Sequence, residues 1–232
     1  MTRGRLASAI LSAGAALVLL AGCTASAPAP TPVPTRTAAE STPTPTSTPS
    51  AAVTLVTLTA DAMTLTDASG VVRGSFDYFQ PTDEVVAGLT ATFGFSPSVE
   101  HVQPYEGLPY TAIEWEGFVL RDSEQESDGV YYPNNRVSVT TPVVRGVAIE
   151  TVDGVSVGDD PASLEAAYPD SVFYGTNSGN DTYVIGFGEI PLPDFDFGDG
   201  RTQPSSFLVS VSGVVGGPID AIFAPGGGGP GI

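Results

Sequence analysis

From residue 53 to about 224 the apolar side chains come in short β-branched or aromatic runs broken by Gly, Pro, Asn and Asp, a strand-and-turn texture. The clearest run is Ile113-Glu114-Trp115-Glu116, where period-two alternation sends Ile113 and Trp115 to one face and both glutamates to the other. Further strands are expected at Val53–Thr59, Arg136–Thr141, Val147–Thr151, Val172–Tyr174, Tyr183–Phe187, Phe207–Ser212 and Ile219–Phe223. Two segments change period. From Pro81 to Phe93, Val85, Val86, Leu89 and Phe93 fall on one side of a helix, Asp83 and Glu84 favour the positive end of its dipole, and Gly94 stops it. A shorter helix is expected after Asp160 as N-cap, with Pro161 in its first turn, Leu164, Ala167 and Tyr168 on one face, and Pro169 as its end.

The predicted class is α+β, an antiparallel sheet with two short helices, because two helices are too few for parallel crossovers. Phe76–Gly94 and Val155–Pro169 share an order of strand end, turn, amphipathic helix and stop, so a duplicated strand–helix–strands unit is expected, with repeats 53–140 and 141–224.

The first fifty residues follow another logic. Arg3 and Arg5 precede an apolar stretch from Leu6 to Leu19, and small residues then lead to Cys23, the only cysteine. This is the layout of a secretory leader. An alternative cut beyond it, at Ala25-Ser26-Ala27, and an uncleaved anchor are the competing readings; the run is short beside the ~20 residues of a spanning helix. The run Leu20-Ala21-Gly22-Cys23 resembles the lipobox of bacterial lipoproteins. The resemblance implies cleavage before Cys23, a diacylglyceryl group on its thiol, and residence on the outer face of the cell membrane. Residues 1–22 are then the signal peptide and 23–52 a lipidated Thr/Pro-rich stalk that cannot bury enough surface to fold. Its prolines favour polyproline II, which at full extension reaches about 90 Å. Clustered Thr beside Pro also suits O-glycosylation. Residues 225–232, Gly and Pro with a final Ile, are expected to be a disordered tail.

Within the second half, Gly154–Asp159, Leu164–Tyr168, Val211–Gly213 and Ile219–Pro225 resemble a group of uncharacterised lipoproteins from high-GC Gram-positive bacteria. At fold level the arrangement is similar to the tandem repeat of β-lactamase inhibitory protein and to outer-membrane assembly lipoproteins of the BamE type. The resemblance implies a fold and carries no catalytic residue.

Charge narrows the partners. There is no lysine, and without Arg3 and Arg5 six arginines face 26 carboxylates, a formal charge of −20. Such a surface repels phosphate backbones and anionic headgroups, which disfavours nucleic acid and leaves the lipid as the link to the membrane. A cationic protein or a metal ion suits it better. With Cys23 acylated, no thiol is left for disulfides or cysteine zinc sites.

Candidate chemistry is sparse. Asp194, Asp196 and Asp199, within Asp-Phe-Asp-Phe-Gly-Asp-Gly, have the alternating carboxylates of a calcium loop, the one cofactor the sequence raises. Gly198 and Asp199 reverse the order an EF-hand needs, and Ser205 stands where its final Glu belongs, which favours an acidic turn. Glu114 and Glu116, on one strand face, would stand roughly 7 Å apart, a spacing glycosidases use. Any Ser–His–Asp set would have to use His101, the only histidine, and no nucleophile elbow accompanies it. Tyr131 and Tyr132, followed by Pro133-Asn134-Asn135, form an aromatic loop suited to an interface. The expected function is a membrane-anchored lipoprotein whose domain binds an envelope protein or a small ligand without catalysis. The alternatives are an envelope-associated hydrolase and a structural or assembly lipoprotein without ligand.

Overall fold

The computed structural model describes residues 52–104, 108–123, 127–177 and 179–228. Leu20, Ala21, Gly22, Cys23 and the stalk lie outside the described residues, as do residues 229–232. In chain order the elements are Val53–Leu58 (β1), Ala62–Asp67 (β2), Val72–Asp77 (β3), the helix Thr82–Phe93 (α1), Ser98–Val102 (β4), Tyr110–Trp115 (β5), Phe118–Ser123 (β6) and Asn135–Val139 (β7). Then come Val143–Val144 (β8), Val147–Thr151 (β9), the helix Ala162–Ala167 (α2) with a 3-10 turn at Pro169–Ser171, Val172–Asn177 (β10), Asn180–Asp196 (β11), Thr202–Val214 (β12) and Ala221–Gly228 (β13).

The strands form two sheets, of order β3-β2-β1-β9-β8 and β10-β11-β12-β13-β7-β6-β5-β4. Strand makes up 53% and helix 12% of the described residues, which are largely β with few helices. The expectation of antiparallel pairing needs one correction: β1 and β9 pair in parallel, from Leu55 against Ala148 to Leu58 against Thr151. The whole of β2 to β8 separates them, which supplies the long crossover that a parallel pair requires. In the larger sheet, β4–β7 and β10–β13 are two four-strand meanders, each preceded by a helix, joined where β7 meets β13.

The first helix forms as its sequence dictates. Pro81 precedes it, Val85, Leu89 and Phe93 are buried, and Gly94, left-handed at φ 78°, donates its N–H to Thr90 O. In the second, Asp160 accepts the N–H of Ala162 at 3.0 Å and Leu164 is buried, but Ala167 is exposed. The helix is too short for a second buried turn. Phe93 sits against Trp115 and Phe118, with ring centroids 5.9 and 5.4 Å away, inside one buried cluster that takes side chains from both sheets and both helices. The two halves of the chain therefore share one core.

The expected disorder from Pro225 is also corrected: Pro225–Gly228 belong to β13, where Gly226 pairs with Leu208 and Gly227 with Phe207. Glycine is what lets the strand in. A Cβ on Gly226 would lie 2.9 Å from Leu208 Cδ1, and one on Gly227, at φ 75°, 2.4 Å from Ser206 O.

Candidate functional site

Beyond the register shift between Phe187 and Ile190, β11 leaves β10 behind, and residues 188–205 form a two-stranded arm whose strands, among the described residues, pair only with each other. Gly188 turns left-handed at the shift, φ 63°, and Pro191 and Pro193 follow where β11 has become an edge strand. A lone hairpin is marginally stable in water. Aromatic contacts hold this one. Tyr131 stacks edge-on to Phe195 at 5.1 Å, Phe195 to Phe197 at 5.3 Å, and the Arg201 guanidinium covers Phe197 at 4.9 Å. The Tyr131 hydroxyl donates to Asp194 O at 3.2 Å.

The loop that presents Tyr131 and Tyr132 is itself fixed. Asp128 Oδ1 accepts the N–H groups of Val130, Tyr131 and Tyr132 at 2.9, 2.7 and 2.9 Å. Desolvation raises the pKa of that carboxyl, but these N–H donors, Tyr132 foremost, outweigh it and hold the group below its ordinary value. At the far end of the loop Asn134 and Asn135 donate side-chain N–H groups to Phe79 O and Gln80 O at 2.6 and 2.8 Å. Tyr131 and Tyr132 are thus half-buried, and Tyr131 is engaged within the molecule rather than free for a partner.

The most exposed aromatics among the described residues lie elsewhere. Phe173 and Tyr174 on β10, one of the two edge strands of the larger sheet among the described residues, are 65% and 66% exposed. Phe173 stands opposite Val184, itself exposed, and Val214 and Val215 extend the apolar surface at the end of β12. A free edge offers unpaired N–H and C=O groups to a strand from another molecule. The sequence signal for this surface was the Phe173-Tyr174 pair, which reads as core until the strand order is known.

The remaining candidates are not brought together. Asp196 Oδ1 accepts Gly198 N–H at 2.8 Å and Asp199 Oδ1 accepts Arg201 N–H at 3.1 Å, while Arg201 Nε donates to Asp199 Oδ2 at 2.8 Å. These oxygens shape the turn of the arm, and among the described residues no group of three or more His, Cys, Asp or Glu could hold a metal ion. Asp194, Asp196 and Asp199 therefore form no calcium cage.

Glu116 does not share the strand face of Glu114. It sits with Gly117 in a two-residue turn of left-handed residues, φ 50° and 93°, between Trp115 and Phe118. Arg145 and Gly146 make the same kind of turn between β8 and β9, φ 49° and 89°. Arg145 Nε donates to Glu116 Oε1 at 2.8 Å and the guanidinium lies 4.5 Å over Phe95, so the ion pair links a hairpin of each sheet. That pairing raises the pKa of Arg145 above its ordinary value. His101 is exposed on β4 opposite Thr111, an odd number of positions from the Ser98–Glu114 pair, so His101 and Glu114 project to opposite faces. No helix among the described residues is long and apolar enough to cross a membrane.

Family models, curated proteins and solved structures yield no match to this chain.

Proposed function

We propose that this chain is a lipoprotein of the outer face of the cell membrane, anchored through Cys23 and carrying a non-catalytic protein-binding domain on a Thr/Pro-rich stalk. The anchor rests on Leu20-Ala21-Gly22-Cys23 at the end of an apolar leader. The observation that carries the binding role is the β10 edge, where Phe173 and Tyr174 are two-thirds exposed. Leaving such rings in water forgoes about 25 cal/mol for each Å² that burial would cover, and a partner strand recovers it. With 26 carboxylates against eight basic residues, the fitting partner is cationic.

The order of each half, a helix followed by a four-strand meander, supports descent from a duplicated unit, in keeping with the fold-level similarity to the tandem repeat of β-lactamase inhibitory protein.

A photoreactive residue at position 173 in cells tests the binding role. One crosslinked protein at stoichiometric yield, lost on Tyr174→Ser, is expected; no adduct at all would remove it. For the anchor, Cys23→Ser is expected to block lipid-dependent maturation, and normal maturation with unchanged membrane association would refute it.

A further inference from the structure

Five arginines lie among the described residues, and three of them, Arg73, Arg145 and Arg201, rest against the carboxylates of Asp67, Glu116 and Asp199. The other two face each other. Arg121 on β6 is directly opposite Arg136 on β7, on the face of the larger sheet turned away from the core that Leu120 and Val137 enter. Like charges in opposed positions repel, yet among the described residues neither guanidinium pairs with any carboxylate of a chain that has 26.

Arg136 is held in place by backbone. Its Nη1 donates to Pro225 O at 3.1 Å and to Gly227 O at 3.5 Å. Burial and then the neighbouring Arg121 bring its pKa down to about 10, which leaves it a cation at neutral pH. Arg121 lies 5.2 Å from the centre of the Tyr110 ring, and its Nε–H is buried without an acceptor. A buried cationic N–H with no acceptor is costly and calls for an explanation. Beside it opens a pocket of about 210 Å³ lined by Arg121, Arg136, Val137, Phe223 and Pro225.

We propose that this pocket binds a small organic anion, its carboxylate or phosphate gripped by Arg121 and Arg136 and its apolar part lying against Phe223 and Pro225. Two guanidiniums supply the forked donors that oxyanions accept. An anion between them replaces their mutual repulsion with attraction and offers Arg121 Nε the acceptor it lacks. The apolar lining favours an organic anion over an inorganic one. The proposal is independent of the β10 edge and of the anchor.

Hexyl phosphate, hexanoate and hexylamine serve as probes, titrated into the full chain in non-ionic detergent while the arginine Nε–H resonances are followed by NMR. Saturable shifts of Arg121 and Arg136 with either anion, with Arg73, Arg145 and Arg201 unmoved and hexylamine without effect, are expected; which anion binds more tightly names the oxyanion. Arg121→Gln should weaken binding about tenfold or more, and its circular dichroism should match the parent because the Arg121 side chain makes no hydrogen bond among the described residues. No saturation with either anion, equal shifts of all arginines, or unchanged affinity in Arg121→Gln would each overturn the proposal.

Discussion

Gly213 and Gly175 offer a paired test of the packing. Both lie in strands without a left-handed φ, so alanine fits their backbone, and stiffening the unfolded chain alone would stabilise either variant by about 0.4–1 kcal/mol. The surroundings split them. A Cβ on Gly175 meets nothing within 4 Å, whereas one on Gly213 would stand 2.4 Å from Pro218 O and 2.5 Å from Tyr183 Oη. Pro218 cannot easily retreat, because its neighbour Ile219 donates to Asp159 O at 2.9 Å and accepts from Gly158 N at 2.8 Å. Tyr183 is buried beneath, with desolvation first and the Asp220 charge second raising its pKa to about 12. Overpacking of this kind costs about 1–3 kcal/mol, and weakening those two hydrogen bonds adds about 1 kcal/mol. Less the gain from a stiffer unfolded chain, Gly213→Ala is therefore expected to destabilise by about 1–3.5 kcal/mol, lowering Tm by about 2–12 °C. Gly175→Ala should raise Tm by about 1–3 °C. Trp115, the only tryptophan and fully buried, reports both transitions by its fluorescence. If Gly213→Ala melts at or above the parent temperature, the close approach of Pro218 to β12 is wrong.

Asp67, a buried carboxylate, accepts from Ser69 N and Oγ, Val71 N and Arg73 Nε at 2.8, 2.6, 3.1 and 2.7 Å. The Ser69 hydroxyl is the leading cause of its depressed pKa, against desolvation and with help from Val71 and Arg73. A depressed folded pKa means stability that is fully present above the unfolded value near 3.9 and lost as pH falls through the folded one. The Tm gap between the parent and Asp67→Asn is expected to narrow steadily below about pH 4; a gap constant from pH 6 to 2 would contradict the assignment. Tyr131→Ala should free the arm, speeding protease cleavage between residues 188 and 205 while global stability falls by no more than about 1–2 kcal/mol; equal cleavage rates would show that the aromatic contacts do not hold it. Millimolar calcium is expected to leave Tm unchanged, and a shift of several degrees would restore a calcium site at Asp194, Asp196 and Asp199.

The helices were legible because local signals coincide: Pro81, the acidic first turn, the stripe through Phe93 and Gly94 agree with one another. The strands hidden from the sequence lack such agreement. In β2 the inward positions run Met63, Leu65, Asp67, and a buried aspartate breaks the apolar alternation. Strand β4 is exposed along most of its length. Only Tyr183–Phe187 of the seventeen-residue β11 was evident, since glycines and prolines in its outer half read as turn. Long-range pairing was invisible in principle: Tyr131 meets Asp194 across 63 positions, and Glu116 meets Arg145 across 29. The arginine pocket belongs to the same class, because only the register of β6 against β7 sets Arg121 beside Arg136.

The place of β13 bears on how the molecule matures. Strand β13, last in chain order among the described elements, lies in the interior of the larger sheet, between β12 and β7, so the two meanders cannot join before it is in place. Until then both keep an open flank that other chains can capture. Closure of the larger sheet thus waits on β13. A version ending at Gly217 should stay protease-sensitive throughout residues 98–214, and a resistant fragment there would show that the halves fold without their keystone.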